Sequence, residues 1–226
     1  MSHPAVLRTL FNYGVLNREK GLYDEAFECL DRAILWQRKY GYRHHSYLSG
    51  RIELAILELD RGEPDKAIKI LNSARQVQQE YYPLNKPECI KATVALANAL
   101  AQTGELSAAE SLLAMIIPIV KQAFGDRHPA FLHALISRSR LRRLQGRSGE
   151  AGEELEDAVI TLGTTCRDAH KSTLIAGALL GQIYWEIGRK EEGRERIVKA
   201  LGALNNILGN EHPKTRDVKE MLLNCI

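Results

Sequence analysis

The sequence predicts an all-α protein made of five helix-turn-helix repeats and a closing helix, and three observations carry that prediction. Glycines recur at Gly21, Gly62, Gly104, Gly146 and Gly188, spaced by 41, 42, 42 and 42 residues. Fixed columns of small and apolar residues accompany them. Seven positions before each stand Gly14, Ala55, Ala97, Ser139 and Gly181, and five after stand Ala26, Ala67, Ala109, Ala151 and Gly193. Nine after come Leu30, Leu71, Leu113, Leu155 and Ile197, and twelve after come Ala33, Ala74, Ile116, Ala158 and Ala200. A second mark separates the units: His3, His45, Lys86, His128, His170 and His212 share one column, and Pro4, Pro87, Pro129 and Pro213 follow it. Self-similarity at a fixed period of this length is the signature of a repeat architecture.

Each element follows from these columns. Upstream of each glycine, offsets −12, −8, −5 and −4 fall on one helical stripe and are mostly apolar, for example Leu54 and Leu57, or Leu180, Ile183 and Tyr184. Downstream, offsets +5, +9 and +12 step by four and three, which is again one helix face. The glycine permits the left-handed turn that ends the first helix. Pro64 follows Gly62 at the start of a second helix, where its missing N–H costs nothing. Small residues at −7 and +5 let the paired helices approach closely. The proline after the histidine column opens the next first helix. The units are therefore about 4–40, 46–80, 87–122, 129–163 and 171–206, with a last helix near 213–224 covering the exposed end, all within one solenoid domain, 1–226.

Composition narrows the function classes. With 45% hydrophobic and 26% charged residues the chain is too apolar for a disordered tail. The longest uncharged apolar run, Leu112 to Val120, is shorter than the roughly 20 residues of a membrane span. Met1-Ser2-His3-Pro4 has no signal-peptide pattern, so a cytoplasmic protein without a membrane partner is expected. The net charge of +3 gives no warrant for nucleic acid. Cys29, Cys89, Cys166 and Cys225 lie 60, 77 and 59 residues apart, which supports neither a zinc site nor a disulfide framework.

The Gly-x-x-x-(Glu)-Ala turn, the small residue in the first helix and the 42-residue unit opening with Gly-x-x-His-Pro (Gly125 to Pro129, Gly209 to Pro213) resemble tetratricopeptide repeats. The long unit is similar to the repeats of kinesin light chains. The resemblance covers essentially the whole chain and implies a right-handed α-solenoid that binds proteins. The aromatic residue common at +9 in the family is here Leu or Ile throughout. The family's carboxylate clamp needs Lys and Asn together at offsets −10 and −6, whereas Asn98 is paired with Val94, so a chaperone-tail clamp is not expected.

Catalytic and cofactor signatures do not appear. There is no phosphate-binding Gly-x-x-x-x-Gly-Lys-Ser/Thr loop, no Gly-x-Gly-x-x-Gly, no His-Glu-x-x-His and no Gly-x-Ser-x-Gly elbow. Equivalent histidines in successive helix pairs lie too far apart to share an ion, so the histidine column is expected to support the following turn. Glu153, Glu154 and Glu156 read as a solvated helix face. No enzyme, cofactor or metal site is expected.

Binding is expected on the first helices, opposite their core stripe. Offset −6 gives Val15, Ile56, Asn98, Arg140 and Gln182; offset −3 gives Arg18, Leu59, Ala101, Arg143 and Trp185. Offset −10 gives Phe11, Ile52, Val94, Ile136 and Ala178; offset −13 gives Arg8, Ser49, Lys91, His133 and Ile175. The candidate peptide-binding residues are Ile52, Ile56, Leu59, Lys91, Asn98, His133, Arg140, Arg143, Gln182 and Trp185. The fourth unit's first helix carries Arg138, Arg140, Arg142 and Arg143 and no acid, a local +4, whereas the second unit's first helix is −2. Arg140 and Arg143 point into the groove; Arg138 and Arg142 fall on the core side, where their stems lie along neighbours and their heads pair with acids. A guanidinium fork suits an acidic, phosphorylated or C-terminal carboxylate group. Pro118 inside a second helix, and Gly149 and Gly152 in the next, suggest a compliant middle.

The expected function is a protein-interaction scaffold that captures a partner segment of acidic character in its groove. The alternative is the ligand-sensing arm of a larger transcriptional regulator or NTPase. Nucleic-acid binding calls for a continuous basic stripe, which is missing. The open ends and the apolar groove column also admit self-association.

Overall fold

A computed structural model describes residues 4–37, 45–166 and 171–225. His3 and His170 of the histidine column lie outside these residues, as does the loop after the first helix pair. Among the described residues the structure is helical throughout: α1 (Pro4–Glu19), α2 (Tyr23–Gln37), α3 (His45–Asp60), α4 (Pro64–Tyr81), α5 (Pro87–Gln102), α6 (Leu106–Phe124), α7 (Pro129–Leu144), α8 (Ser148–Cys166), α9 (Lys171–Glu186), α10 (Lys190–Leu208) and α11 (Pro213–Leu223). The predicted all-α class stands.

The turn inside each helix pair is one motif used five times. Gly21, Gly62, Gly104, Gly146 and Gly188 all adopt φ between +76° and +93°, which only glycine takes without strain. At each turn the glycine N–H bonds back three residues and the next N–H bonds back five, as in Gly62 to Leu59 and Glu63 to Glu58, or Gly188 to Trp185 and Arg189 to Tyr184. These bonds satisfy carbonyls that the ending helix would otherwise leave unpaired.

The histidine column closes the other junction. His128 and His212 sit just before α7 and α11, and their Nδ1 atoms accept hydrogen bonds from the N–H groups of Ala130 (3.2 Å) and Lys214 (3.1 Å). The His128 ring also stacks on Phe124, with centroids 4.7 Å apart. The expected role of a loop histidine supporting the next helix is thus seen at both. Lys86, in the same column before α5, makes no side-chain cap.

Small residues at −7 and +5 set the spacing within each pair. A Cβ added to Gly193 would stand 2.5 Å from the Gly181 carbonyl oxygen and 2.8 Å from the Trp185 nitrogen. One added to Gly14 would stand 2.8 Å from Leu30 Cγ. Ala55, Ala67, Ala97, Ala109, Ser139 and Ala151 are likewise buried. Ser139 Oγ is buried without a hydrogen-bond partner, so the site uses the residue for its size rather than its hydroxyl.

The chain divides into two compact units, Met1–Val120 and Lys121–Ile226. In unit 1, α2 packs on α1 and α3, α4 packs on α3 and α5, and the first helices α1, α3 and α5 touch in sequence. Leu30 and Leu57 share one core cluster with Ala26, while Ile34, Tyr47, Leu48 and Ala74 form another. In unit 2, α8 packs on α7 and α9, and α11 packs on α9 and α10. Ala178, Ile197, Ala200, Leu204, Val218 and Cys225 form the core under α11, which covers the last repeat as expected.

Helix α6 runs unbroken through Pro118, and the division between units falls just beyond it. By length and composition α6 is long and apolar enough to cross a membrane, a wider measure than the uncharged run Leu112–Val120. Its stripe of Ala109, Leu113, Ile116, Ile117 and Val120 is buried in the protein. Gly152 has a packing reason, since an added Cβ would stand 3.2 Å from Ile183 Cγ2; Gly149 has open space around it.

The backbone contact makes a sharp prediction. Gly193→Ala should lower the unfolding free energy by about 1–3 kcal/mol through overpacking. Gly202→Ala in the same helix, where an added Cβ meets nothing within 4 Å, should raise it by about 1 kcal/mol through helix propensity. Urea unfolding of both variants against the parent checks the opposite signs.

Candidate protein-binding face of the first helices

In unit 1 the outward face of α1, α3 and α5 has an apolar floor and a charged frame. Val15, Ile56, Leu59, Val94 and Ala101 are half-buried, and Asn98 lies beside them. Ile52, placed in the groove by its register, is instead 1% exposed. Ile52 therefore belongs to the core, whereas Phe11 and Val94 at the same offset stay half-buried.

The frame links one first helix to the next. Arg18 on α1 reaches Asp60 on α3 at 2.9 Å and Glu53 at 3.6 Å, and also Glu19 beside it at 2.6 Å. Lys91 on α5 pairs with the same Glu53 from the other side. Glu53 is therefore a buried carboxylate held between two cations from two neighbouring helices. Lys91, expected to meet a ligand, is engaged by the fold.

Unit 2 repeats the link. Arg143 on α7 donates from Nε to Glu186 on α9 at 2.6 Å, and Ser148 donates to the other Glu186 oxygen at 2.7 Å. Arg18 and Arg143 both stand at offset −3, and Asp60 and Glu186 both at offset −2 of the following repeat. The register of the ion pair is thus a property of the repeat wherever −3 is arginine. Leu59 and Ala101 occupy that position in the second and third repeats and make no such link.

The basic appearance of α7 changes accordingly. Arg138 and Arg142 converge on Glu154 of α8, with Arg138 Nε and Arg142 Nη1 each 3.0 Å from Glu154 Oε2. Glu150 lies 4.0 Å from Arg142 and is held by Arg147 at 2.7 Å; the Arg147 hydrogen bond keeps its carboxyl below the usual carboxylate range. The core-side placement of Arg138 and Arg142 agrees with their register. Glu154, read from sequence as part of a solvated face, is a half-buried clasp between two arginines. Arg138, Arg142 and Arg143 thus each face a carboxylate from the next helices.

The remaining candidates lie on one surface of unit 2. His133 and Arg140 are exposed on α7, two turns apart on one line of the helix. Gln182 and Trp185 on α9 are half-buried beside them. Trp185 packs against the core cluster under α11, with Lys190 Nζ 5.1 Å from its ring. On the far side of α9, the buried Tyr184 ring carries Arg189 3.7 Å from its centroid and Arg196 at 5.1 Å.

Among the described residues no group of three His, Cys, Asp or Glu side chains is placed to hold a metal. A recess of about 10 Å³ lined by Leu48, Gln78, Tyr82, Lys86, Glu88 and Cys89 has room for a single water. Burial pushes the Cys89 and Cys225 thiols up from their ordinary values, with Glu88 and Glu186 respectively adding to it.

Two outcomes follow. Glu154→Gln should lower the unfolding free energy by about 1–2 kcal/mol, because two half-buried guanidinium groups lose a charged acceptor, whereas Glu153→Gln on the exposed face should change it little; urea unfolding decides. Because a raised thiol pKa suppresses the reactive thiolate, iodoacetamide at neutral pH should label the partly exposed Cys29 well before Cys89 and Cys225, read by peptide mass mapping.

Comparison with known proteins matches this architecture. Tetratricopeptide-repeat family models match residues 3–80 and 52–124, together more than half of the chain. Among solved structures, the nearly identical TPR-like repeats of a Podosopora anserina protein described as a kinesin light chain align with a TM-score of 0.65 at 25% identity, covering 92% of this chain and 99% of that one. A Rap protein complexed with Competence and Sporulation Factor aligns with a TM-score of 0.80 at 11% identity, over 100% of this chain and 64% of that one. A thermophilic TPR protein of Thermus thermophilus aligns at 0.61 with 18% identity, over 97% and 98% of the two chains. No curated protein matches the sequence. With five glycine turns, five small-residue crossings and a kinesin-light-chain-like repeat length, the chain belongs to the tetratricopeptide-repeat family of protein-interaction scaffolds.

Proposed function

We propose that this scaffold binds an acidic segment of a partner protein along the first-helix face of unit 2, with Arg140 as the primary contact. The observation that carries the reading is that α7 has no acidic residue, while Arg140 and His133 stand exposed on one line of it. Arg143 continues that line. Its pair with Glu186 is 26% exposed on the arginine side and 31% on the glutamate side, and partly exposed ion pairs of that kind contribute about 0–1 kcal/mol. An incoming carboxylate can therefore take the place of Glu186 on the Arg143 fork at small cost. The half-buried Trp185 and Gln182 offer an apolar edge and an amide to the same segment. No catalytic role is assigned to any residue of this face.

Fluorescence anisotropy with labelled Asp/Glu-rich, neutral and Lys-rich peptides tests the reading. The acidic peptides should bind, and binding should weaken as salt is raised. Arg140→Glu should weaken it about tenfold or more, equivalent to at least about 1.4 kcal/mol. Glu186→Gln should strengthen it by releasing Arg143. A preference for neutral or basic peptides, or unchanged affinity in Arg140→Glu, would overturn the acidic-segment reading.

A further inference from the structure

Two arginines stand at offset −3, and the structure ties them down to different degrees. Arg18 in unit 1 meets three carboxylates, Glu19 at 2.6 Å, Asp60 at 2.9 Å and Glu53 at 3.6 Å. The side chains of Arg18, Asp60 and Glu53 are only 13%, 14% and 8% exposed. Releasing Arg18 would strand buried charge, so this link belongs to the framework. Arg143 in unit 2 meets Glu186 at 2.6 Å, with both side chains open enough for solvent to take over either partner. Of the two links, only this one can be exchanged at low cost.

Glu186 is held in turn by a residue from another helix. It is the last residue of α9, and a carboxylate there faces the negative end of the helix macrodipole. One of its oxygens accepts the Arg143 Nε–H at 2.6 Å, and the other accepts the Ser148 hydroxyl at 2.7 Å. Ser148 opens α8, so three helices of unit 2 meet at this carboxylate. A hydrogen bond to a charged group strengthens a hold that a partly exposed ion pair alone would leave weak. The turn itself does not call for the serine. Two positions after the turn glycines stand Tyr23, Pro64, Leu106, Ser148 and Lys190, five different side chains on one backbone motif.

We propose that Glu186 is an internal ligand of Arg143, and that Ser148 is the positioning residue that keeps it there and so gates the acidic-segment face. The inference rests on the acidic-segment reading and adds the regulation of that face. With the gate closed, a carboxylate arriving at Arg143 only exchanges one acceptor for another. A second acidic residue in the segment then gains little beyond the contact at Arg140. Arg140 and Arg143 lie three residues apart, about 4.5 Å along the helix axis, so two acidic residues of one short segment can reach both. With the gate open, the second acidic residue counts in full.

Fluorescence anisotropy with two labelled peptides, one carrying a single Asp and the other carrying two, tests the gate. The parent should bind the two with similar affinity. Ser148→Ala should tighten the two-acid peptide about threefold, the effect of losing one hydrogen bond to a partly exposed charge, and the one-acid peptide less. Ser148→Thr, which keeps the hydroxyl, should behave as the parent does. In a Glu186→Gln background Ser148→Ala should add nothing further, a result that a merely structural role for the serine would not give. Binding that depends on Arg140 yet is the same in the parent and in Ser148→Ala overturns the gate and leaves the acidic-segment reading standing. A gain from Ser148→Ala that persists undiminished in Glu186→Gln does the same. Acidic peptides that bind neither the parent nor any variant overturn that reading and the gate with it.

Discussion

Everything in this fold depends on how closely two backbones approach where each helix pair crosses. The crossing is lined by the −7 residue of the first helix and the +5 residue of the second, which are glycine, alanine or serine in every repeat. In the fifth repeat both are glycine, and the carbonyl of each lies where the other's Cβ would be. Because the crossing is fixed by backbone rather than by long side chains, the paired helices keep one register from repeat to repeat. The left-handed glycine turn then has one length to span, and the histidine and proline that open the next helix recur at a constant interval.

A constant register turns sequence columns into spatial rows. Within unit 1 and within unit 2, an arginine at offset −3 meets a carboxylate at offset −2 of the following repeat and links their first helices. Arg18 with Asp60 and Arg143 with Glu186 are the two instances. The second helices contribute a related clasp through Glu154. These pairs consume much of the charge that a count along the sequence would assign to a binding groove. The proposed binding face is consequently narrower than the groove columns suggest, with the exposed Arg140 and His133 at its centre and the half-buried Trp185 at its edge.

The sequence made the helices, turns and capping histidines legible because each depends on contacts within a single repeat. Gly188 predicts its own turn, and His212 predicts the cap of the helix that Pro213 opens. The proposed binding face was less legible because its chemistry is decided between repeats. Nothing near Arg143 in sequence announces Glu186, which lies 43 residues away. Ile52 has a groove register, yet it is buried. Glu154 reads as one acid among several until Arg138 and Arg142 arrive from α7. The two ion pairs do share one offset rule, so the signal was present in the aligned columns, as an arginine at −3 followed by an acid at −2 one repeat later.

The claim that close backbone crossings hold the repeats in register is tested most directly by a leucine scan of the −7 column, at Gly14, Ala55, Ala97, Ser139 and Gly181, with unfolding followed in urea. Each substitution should lower the unfolding free energy by about 2 kcal/mol or more, since the extra atoms meet closely packed neighbours. Leucine one position further on, at Asn98 or Gln182, should cost much less. Tolerance of leucine in the −7 column of two or more repeats, with stability unchanged, would contradict the account.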